Sequence, residues 1–201
     1  MKHSLHPVAV LVSLALLCAQ TTHAAQPATT SGTDSLPPNY VGASLGFPDK
    51  DSFCTELNTC GDNGRSWKVY SGVRVTDNIM LEGGYVNFGE YQGTNSTLLN
   101  ETRTAKGYTA AGVMSHAISN DITLFGKAGM LWWDSETKTS TKTDTSSGKD
   151  VFYGAGAQYN LGNNLGLRAE WERYEGINPQ TTSSNQGYLD MLSVGATFSS
   201  L

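Results

Sequence analysis

Three groups of side chains in this 201-residue chain have types and spacings that could do chemistry. His116 stands beside Ser115, with Ser119 and Asp121 just beyond it. A serine nucleophile, a histidine base and an orienting acid are the parts of a hydrolytic triad. Yet no acid other than Asp121 is placed to orient this imidazole, and a lone histidine at a strand end reads first as a surface residue. The expectation is that the chain is not an enzyme. The second group is Cys54 and Cys60, which bracket Thr55 to Thr59. With no histidine nearby and only two thiols, a metal site is not expected, and no cofactor is implied. The third group is a set of charges, Lys68, Arg74, Glu82, Lys127, Arg168, Glu170 and Glu172, that share their strand parity with glycines. The formal net charge is −5, which argues against nucleic acid as a partner.

The elements that must position these residues begin after a removable segment. Lys2, the apolar run Val8 to Leu17 and the small residue Ala24 follow the order of a secretory signal peptide, with cleavage expected after Ala24. The apolar run is too short to cross a bilayer as a helix, which takes about 20 residues. Cys18 follows Leu16 and Leu17 where a lipid-attachment motif has small residues, so it is not read as a lipidated cysteine. Export carries Cys54 and Cys60 into an oxidising compartment, where an even pair favours a disulfide closing a small loop. Residues 25–39 are rich in Thr, Ser and Pro and form an aperiodic lead-in.

From residue 40 to residue 198 the chain reads as eight strands in one domain: Tyr40–Phe47, Ser66–Val75, Ile79–Glu90, Lys106–His116, Ile122–Trp133, Asp150–Asn160, Leu165–Tyr174 and Gly187–Phe198. Residues 199–201 form a short tail. Three connections are short: Thr76 to Asn78, Ala117 to Asp121 and Leu161 to Asn164. Four are long and polar: Pro48 to Arg65, Tyr91 to Ala105, Asp134 to Lys149 and Glu175 to Gln186. Short and long alternate strictly, so an up-and-down barrel would have one tight rim and one rim of large loops. Transmembrane barrels of the outer membrane have that asymmetry.

Alternation within the strands says what lies on each side. Leu165, Leu167, Ala169 and Trp171 share one face, and Gly166, Arg168, Glu170 and Glu172 share the other. Val151, Tyr153, Ala155, Ala157 and Tyr159 oppose Phe152, Gly154, Gly156, Gln158 and Asn160. Trp67, Val69, Val73 and Val75 oppose Lys68, Tyr70, Gly72 and Arg74. Glycine crowds the charged face, as a narrow interior requires. Aromatics sit near the ends of the apolar face, as in an interfacial girdle. The fold expected is all-β, an eight-stranded antiparallel up-and-down transmembrane β-barrel. A soluble lipocalin-like barrel would need the reverse, an apolar interior and a polar exterior. The third strand loses its alternation at Val86, Asn87 and Phe88, where a bulge and a membrane exit both remain open.

Several segments resemble one family. Leu81-Glu82-Gly83-Gly84-Tyr85, Leu124 to Trp133 with Lys127 inside it, Leu167-Arg168-Ala169-Glu170-Trp171 and Leu192 to Phe198 are similar to the transmembrane domain of outer-membrane protein A and its small relatives. The resemblance covers about Tyr40 to Phe198. It implies a location in the outer membrane of a Gram-negative bacterium, among lipid and lipopolysaccharide. It also implies that Glu82, Lys127, Arg168 and Glu170 form an interior ion-pair network. An eight-stranded barrel is just wide enough for side chains to fill, and charges there must pair. Ser193, Gly195 and Phe198 are similar to the signal that the barrel-assembly machinery reads in a last strand. Full-length relatives carry a peptidoglycan-binding domain after the barrel, and the expectation here is a barrel without it.

Two function classes follow. One is a structural or surface-interaction barrel, with its lumen plugged by charged side chains and its long loops open to external ligands. The other is a narrow porin-like channel for ions or very small solutes.

Overall fold

The computed structural model describes residues 39–49, 59–62, 65–94, 100–162, 164–177 and 188–200. The expected signal peptide, the lead-in up to residue 38 and Cys54 lie outside the described residues. Nine strands form one antiparallel sheet: β1 (Asn39–Pro48), β2 (Thr59–Asp62), β3 (Ser66–Arg74), β4 (Ile79–Thr94), β5 (Asn100–Ala117), β6 (Ile122–Thr139), β7 (Thr143–Gly162), β8 (Leu165–Glu175) and β9 (Tyr188–Ser200). Eight of them close into a barrel. Each of β3 to β9 pairs with its neighbour in the chain, and β1 bridges β3 and β9. The ninth, β2, is a four-residue strand on the outer end of β4, where Thr59 to Asp62 face Thr94 to Tyr91. Closure gives every wall strand two neighbours, as the hydrocarbon core demands of a spanning backbone.

The alternation dictates which face is which. In β8, Leu165, Leu167, Ala169 and Trp171 are exposed, while Gly166, Arg168, Glu170 and Glu172 are buried. The outer wall carries Val41, Leu45, Val69, Val73, Leu81, Leu124, Leu167 and Val194, each about half exposed. A soluble barrel could not present such a wall to water, which excludes the lipocalin-like arrangement.

Three boundaries differ from the sequence expectation. The stretch Asp134 to Lys149 is not a long loop. β6 and β7 continue as a ladder, and only Ser140 to Lys142 separate them. Likewise, Tyr91–Thr94 and Asn100–Ala105 extend β4 and β5. The physical reason is that apolar alternation ends where lipid ends, while the ladder continues on the strand preference of Thr137, Thr139, Thr143 and Thr145. The expected tail is also part of the wall, because β9 runs to Ser200 and pairs there with Asn39. Finally, the broken pattern of β4 is a bulge. The register shifts between Asn87 and Glu90, and Gly89 takes φ 93°. Val86 and Phe88 point inward before it, and Tyr91 after it. The parity switch is what one extra residue produces.

Candidate functional site

The lumen is the candidate site. Inward residues of four strands converge on one layer: Lys68 from β3, Glu82 from β4, Lys127 from β6, and Arg168, Glu170 and Glu172 from β8. All six are buried. Lys127 Nζ is 3.1 Å from Glu82, 2.9 Å from Glu170 and 2.5 Å from Glu172. Arg168 spans two carboxylates, with Glu82 at 2.9 Å and Glu170 at 3.0 Å. Lys68 pairs with Glu170 and Glu172. Tyr40 donates its hydroxyl to Glu82 at 2.5 Å. Three cations and three carboxylates make the layer neutral, and each charge has an opposite charge beside it.

Glycines in the wall make room for these long side chains. Gly154 lies between Lys127 and Glu172 in the register, and Gly156 lies between Phe125 and Glu170. A Cβ on Gly156 would come within 2.5 Å of the Phe125 ring and 2.7 Å of Glu170 Cβ. Arg168 also rests on aromatic faces, 4.1 Å from the Phe125 centroid and 4.6 Å from that of Tyr70. Guanidinium planes favour such faces.

Apolar clusters flank the layer. Toward the tight rim lie Tyr40, Tyr70, Met80, Val113 and Phe125. Toward the long rim lie Phe88, Leu131, Phe152, Tyr174, Leu189 and Met191, among others. Phe152 stacks on Tyr174 at 5.3 Å, and Phe88 meets Tyr174 edge-on at 4.9 Å.

Glu82, Lys127, Arg168 and Glu170 are thus brought together, and Lys68 and Glu172 join them. Glu172 was legible in the run Arg168-x-Glu170-x-Glu172. The apolar clusters were not, because the interior was expected to be polar. Arg74 shares the inward parity but sits half-buried near the tight rim, apart from the layer. Ser193 is buried on the inward face, Gly195 approaches Ser44 of β1, and Phe198 is exposed on the outer wall. Cys60 lies in β2. The Ser–His group does not assemble: Ser115 is buried inward and His116 faces outward. Ser119 Oγ instead accepts hydrogen bonds from the backbone of Asp121 and Ile122 at the turn.

A closed wall with an apolar exterior, an aromatic belt, one tight rim and a filled interior defines a transmembrane β-barrel of the outer membrane. The chain belongs to the outer membrane protein beta-barrel domain family, whose model matches residues 9–199. It is 24% identical over 169 residues to outer membrane protein A of Salmonella typhi, covering 79% of this chain and 47% of that protein. It is 21% identical over 168 residues to outer membrane protein A of Shigella flexneri, with the same coverages. The chain therefore spans about half the length of the curated relatives it matches. Among solved structures, Neisserial surface protein A superposes with a TM-score of 0.58 at 14% identity, covering 81% of this chain and 97% of that one. The attachment invasion locus protein of Yersinia pestis gives 0.50 at 16%, covering 80% and 95%. The barrel domain of Pseudomonas aeruginosa OprF gives 0.50 at 13%, covering 81% and 98%. These structures share the fold. The protein resides in the cell outer membrane.

Proposed function

We propose that this protein is a non-conducting barrel with a structural or surface-interaction role, its lumen plugged by the ion-pair layer. The observation that carries this reading is the neutral, buried set of Lys68, Lys127, Arg168, Glu82, Glu170 and Glu172 held between two apolar clusters. An ion crossing it would have to displace paired charges and then pass an aromatic layer whose polar atoms are tyrosine hydroxyls such as that of Tyr174. The lumen is therefore a core. Function falls to the outward surfaces, above all the hairpins β4–β5 and β6–β7 that extend beyond the apolar wall. These present Ser, Thr and mixed charge to external ligands on a rigid scaffold.

The test is single-channel recording of the refolded protein in a planar bilayer. The expected result is a silent bilayer across physiological voltages, with folding verified by the shifted gel mobility of the unheated sample. Discrete, reproducible conductance steps from folded protein would overturn the plug and establish the narrow channel.

A further inference from the structure

The long-rim mouth of the lumen is closed in part by the residues that follow β8. The β7–β8 ladder ends on that side at Phe152 and Tyr174, while β7 continues without β8 into the β6–β7 hairpin. Where the two strands part, the chain turns inward. Gly176 takes φ 72°, in the left-handed region that favours glycine, and Ile177 is 2% exposed within the external apolar cluster. One residue earlier, Glu175 accepts a hydrogen bond from the Tyr153 hydroxyl at 3.1 Å. The strand end is held, the next residue is a glycine in a turn, and the one after it is a buried apolar side chain.

The foot of the hairpin reaches the same spot. Trp133 of β6 stands opposite Gly148 of β7, and its ring lies over that glycine, where a Cβ would come within 2.7 Å of ring atom Cζ2. The bare backbone lets the indole extend diagonally to the next inward residue of β7, Asp150, and donate its Nε1–H to Oδ2 at 2.6 Å. The same carboxylate seats against Gly176, where a Cβ would collide with both of its oxygens. Asp150 is half-buried and takes no part in the ion-pair layer. Three elements therefore meet at one carboxylate: β6 through Trp133, β7 through Asp150 itself, and the end of β8 through Gly176.

We propose that Trp133 and Asp150 form a latch on Gly176, and that releasing it lets Ile177 swing out about Gly176 and admits water to the external apolar cluster. Without the indole donor, Asp150 is a half-buried charge that has lost its partner on β6, and it turns toward water. The seat beneath Gly176 goes with it. Glu175 stays with Tyr153, so the movement falls on the φ and ψ of one glycine, as in a hinge. What holds the cap is the burial of a single side chain, so the cap opens locally while the barrel stays folded. Trp133 and Asp150 stand at the foot of the β6–β7 hairpin, so a shift of that foot works the latch. The hairpin and the lumen mouth are thereby coupled. The use of this coupling rests on the reading of the hairpins as contact surfaces, whereas the latch itself does not.

The experiment reads solvent access to Leu189, which is fully buried in the same cluster and stands opposite Tyr174 in the register. Leu189→Cys is introduced into the full chain with Cys54 and Cys60 replaced by serine, and its labelling by a water-soluble maleimide is followed by mass. Folding of every variant is read from its gel shift, and if Leu189→Cys does not fold, Met191→Cys in the same cluster takes its place. The latched chain should label slowly. Trp133→Phe, which keeps a ring over Gly148 but removes the donor, should raise the rate at least tenfold, and so should Asp150→Ala. Gly148→Val, which pushes the indole away from β7 at the hairpin foot, should do the same. Asp150→Asn keeps an oxygen that accepts from the indole and should restore the slow rate. Ile177→Ala should label fast with the latch intact. Fast labelling of the latched chain would overturn the proposal. So would an unchanged rate in folded Trp133→Phe, Asp150→Ala or Gly148→Val, slow labelling of Ile177→Ala, or an Asp150→Asn chain as fast as Asp150→Ala.

Discussion

Lys127 and Glu172 stand on opposite sides of Gly154 in the sheet, and their charged ends meet at 2.5 Å across it. The glycine is the condition for the contact. A Cβ there would come within 3.0 Å of Glu172 Cγ, and the Trp171 carbonyl is closer still. Gly154→Val is therefore expected to unseat both partners and strain the wall. Overpacking of this kind costs about 1–3 kcal/mol. The measurement is the urea midpoint of the refolded barrel in detergent, and an unchanged midpoint would refute the close approach.

Lys127 touches three carboxylates, more than any other cation of the layer. Lys127→Ala leaves them crowded and less compensated, at a cost of about 3–5 kcal/mol for a fully dry site. Glu172→Ala removes one of its partners and one partner of Lys68. The double change is expected to cost less than the two single changes summed, because a mutant cycle isolates their coupling. Additive losses would mean that the two side chains do not meet.

Conductance should respond to the apolar clusters as well as to the charges. Glu82→Ala alone leaves Phe152, Tyr174 and Leu131 in place on the external side. That variant is expected to stay silent in a planar bilayer. Adding Phe152→Ala and Tyr174→Ala should produce measurable ion steps. Steps from Glu82→Ala by itself would show that the ion pairs are the sole closure.

Cys54 and Cys60 are expected to be joined, since the pair is short in spacing and the compartment oxidising. Peptide mapping without reductant should recover the linked pair. Replacing both with serine should leave the gel shift of the folded barrel intact, because Cys60 lies in β2, which is not one of the eight wall strands. Two free thiols in protein taken directly from outer membranes would contradict the pairing.

The sequence was most readable where lipid imposed a period of two. In β8, Leu165 to Trp171 could hardly have pointed elsewhere, and the charges between them had to face inward. The reading weakened where that pressure ended. Beyond Trp133 the ladder carries Ser and Thr on both faces, so strand and loop look alike in composition. At Asn87 to Glu90 the alternation breaks, and only the left-handed Gly89 marks the extra residue. Within the lumen, parity placed Lys68, Glu82, Lys127, Arg168 and Glu172 on the inner face. It could not say which would touch, because contact depends on the stagger between strands. Phe152 and Tyr174 share that parity, yet their stacking is set by the same stagger and was not visible from either strand alone.

The hairpin of β6 and β7 has a mechanical consequence. Thr139 lies six residues beyond Trp133, and at about 3.3 Å per residue the ladder carries its tip some 20 Å along the strand direction. The turn at Ser140 to Lys142 is closed by its own backbone, with the Thr139 amide donating to the Lys142 carbonyl at 2.8 Å. Such a stalk is a stiff mast. The hydrogen bonds of the turn stay within the hairpin, so the wall strands do not draw on its tip for their pairing. The tip is thus a stretch of the molecule where substitutions can accumulate under pressure from outside the cell while the fold stays constant.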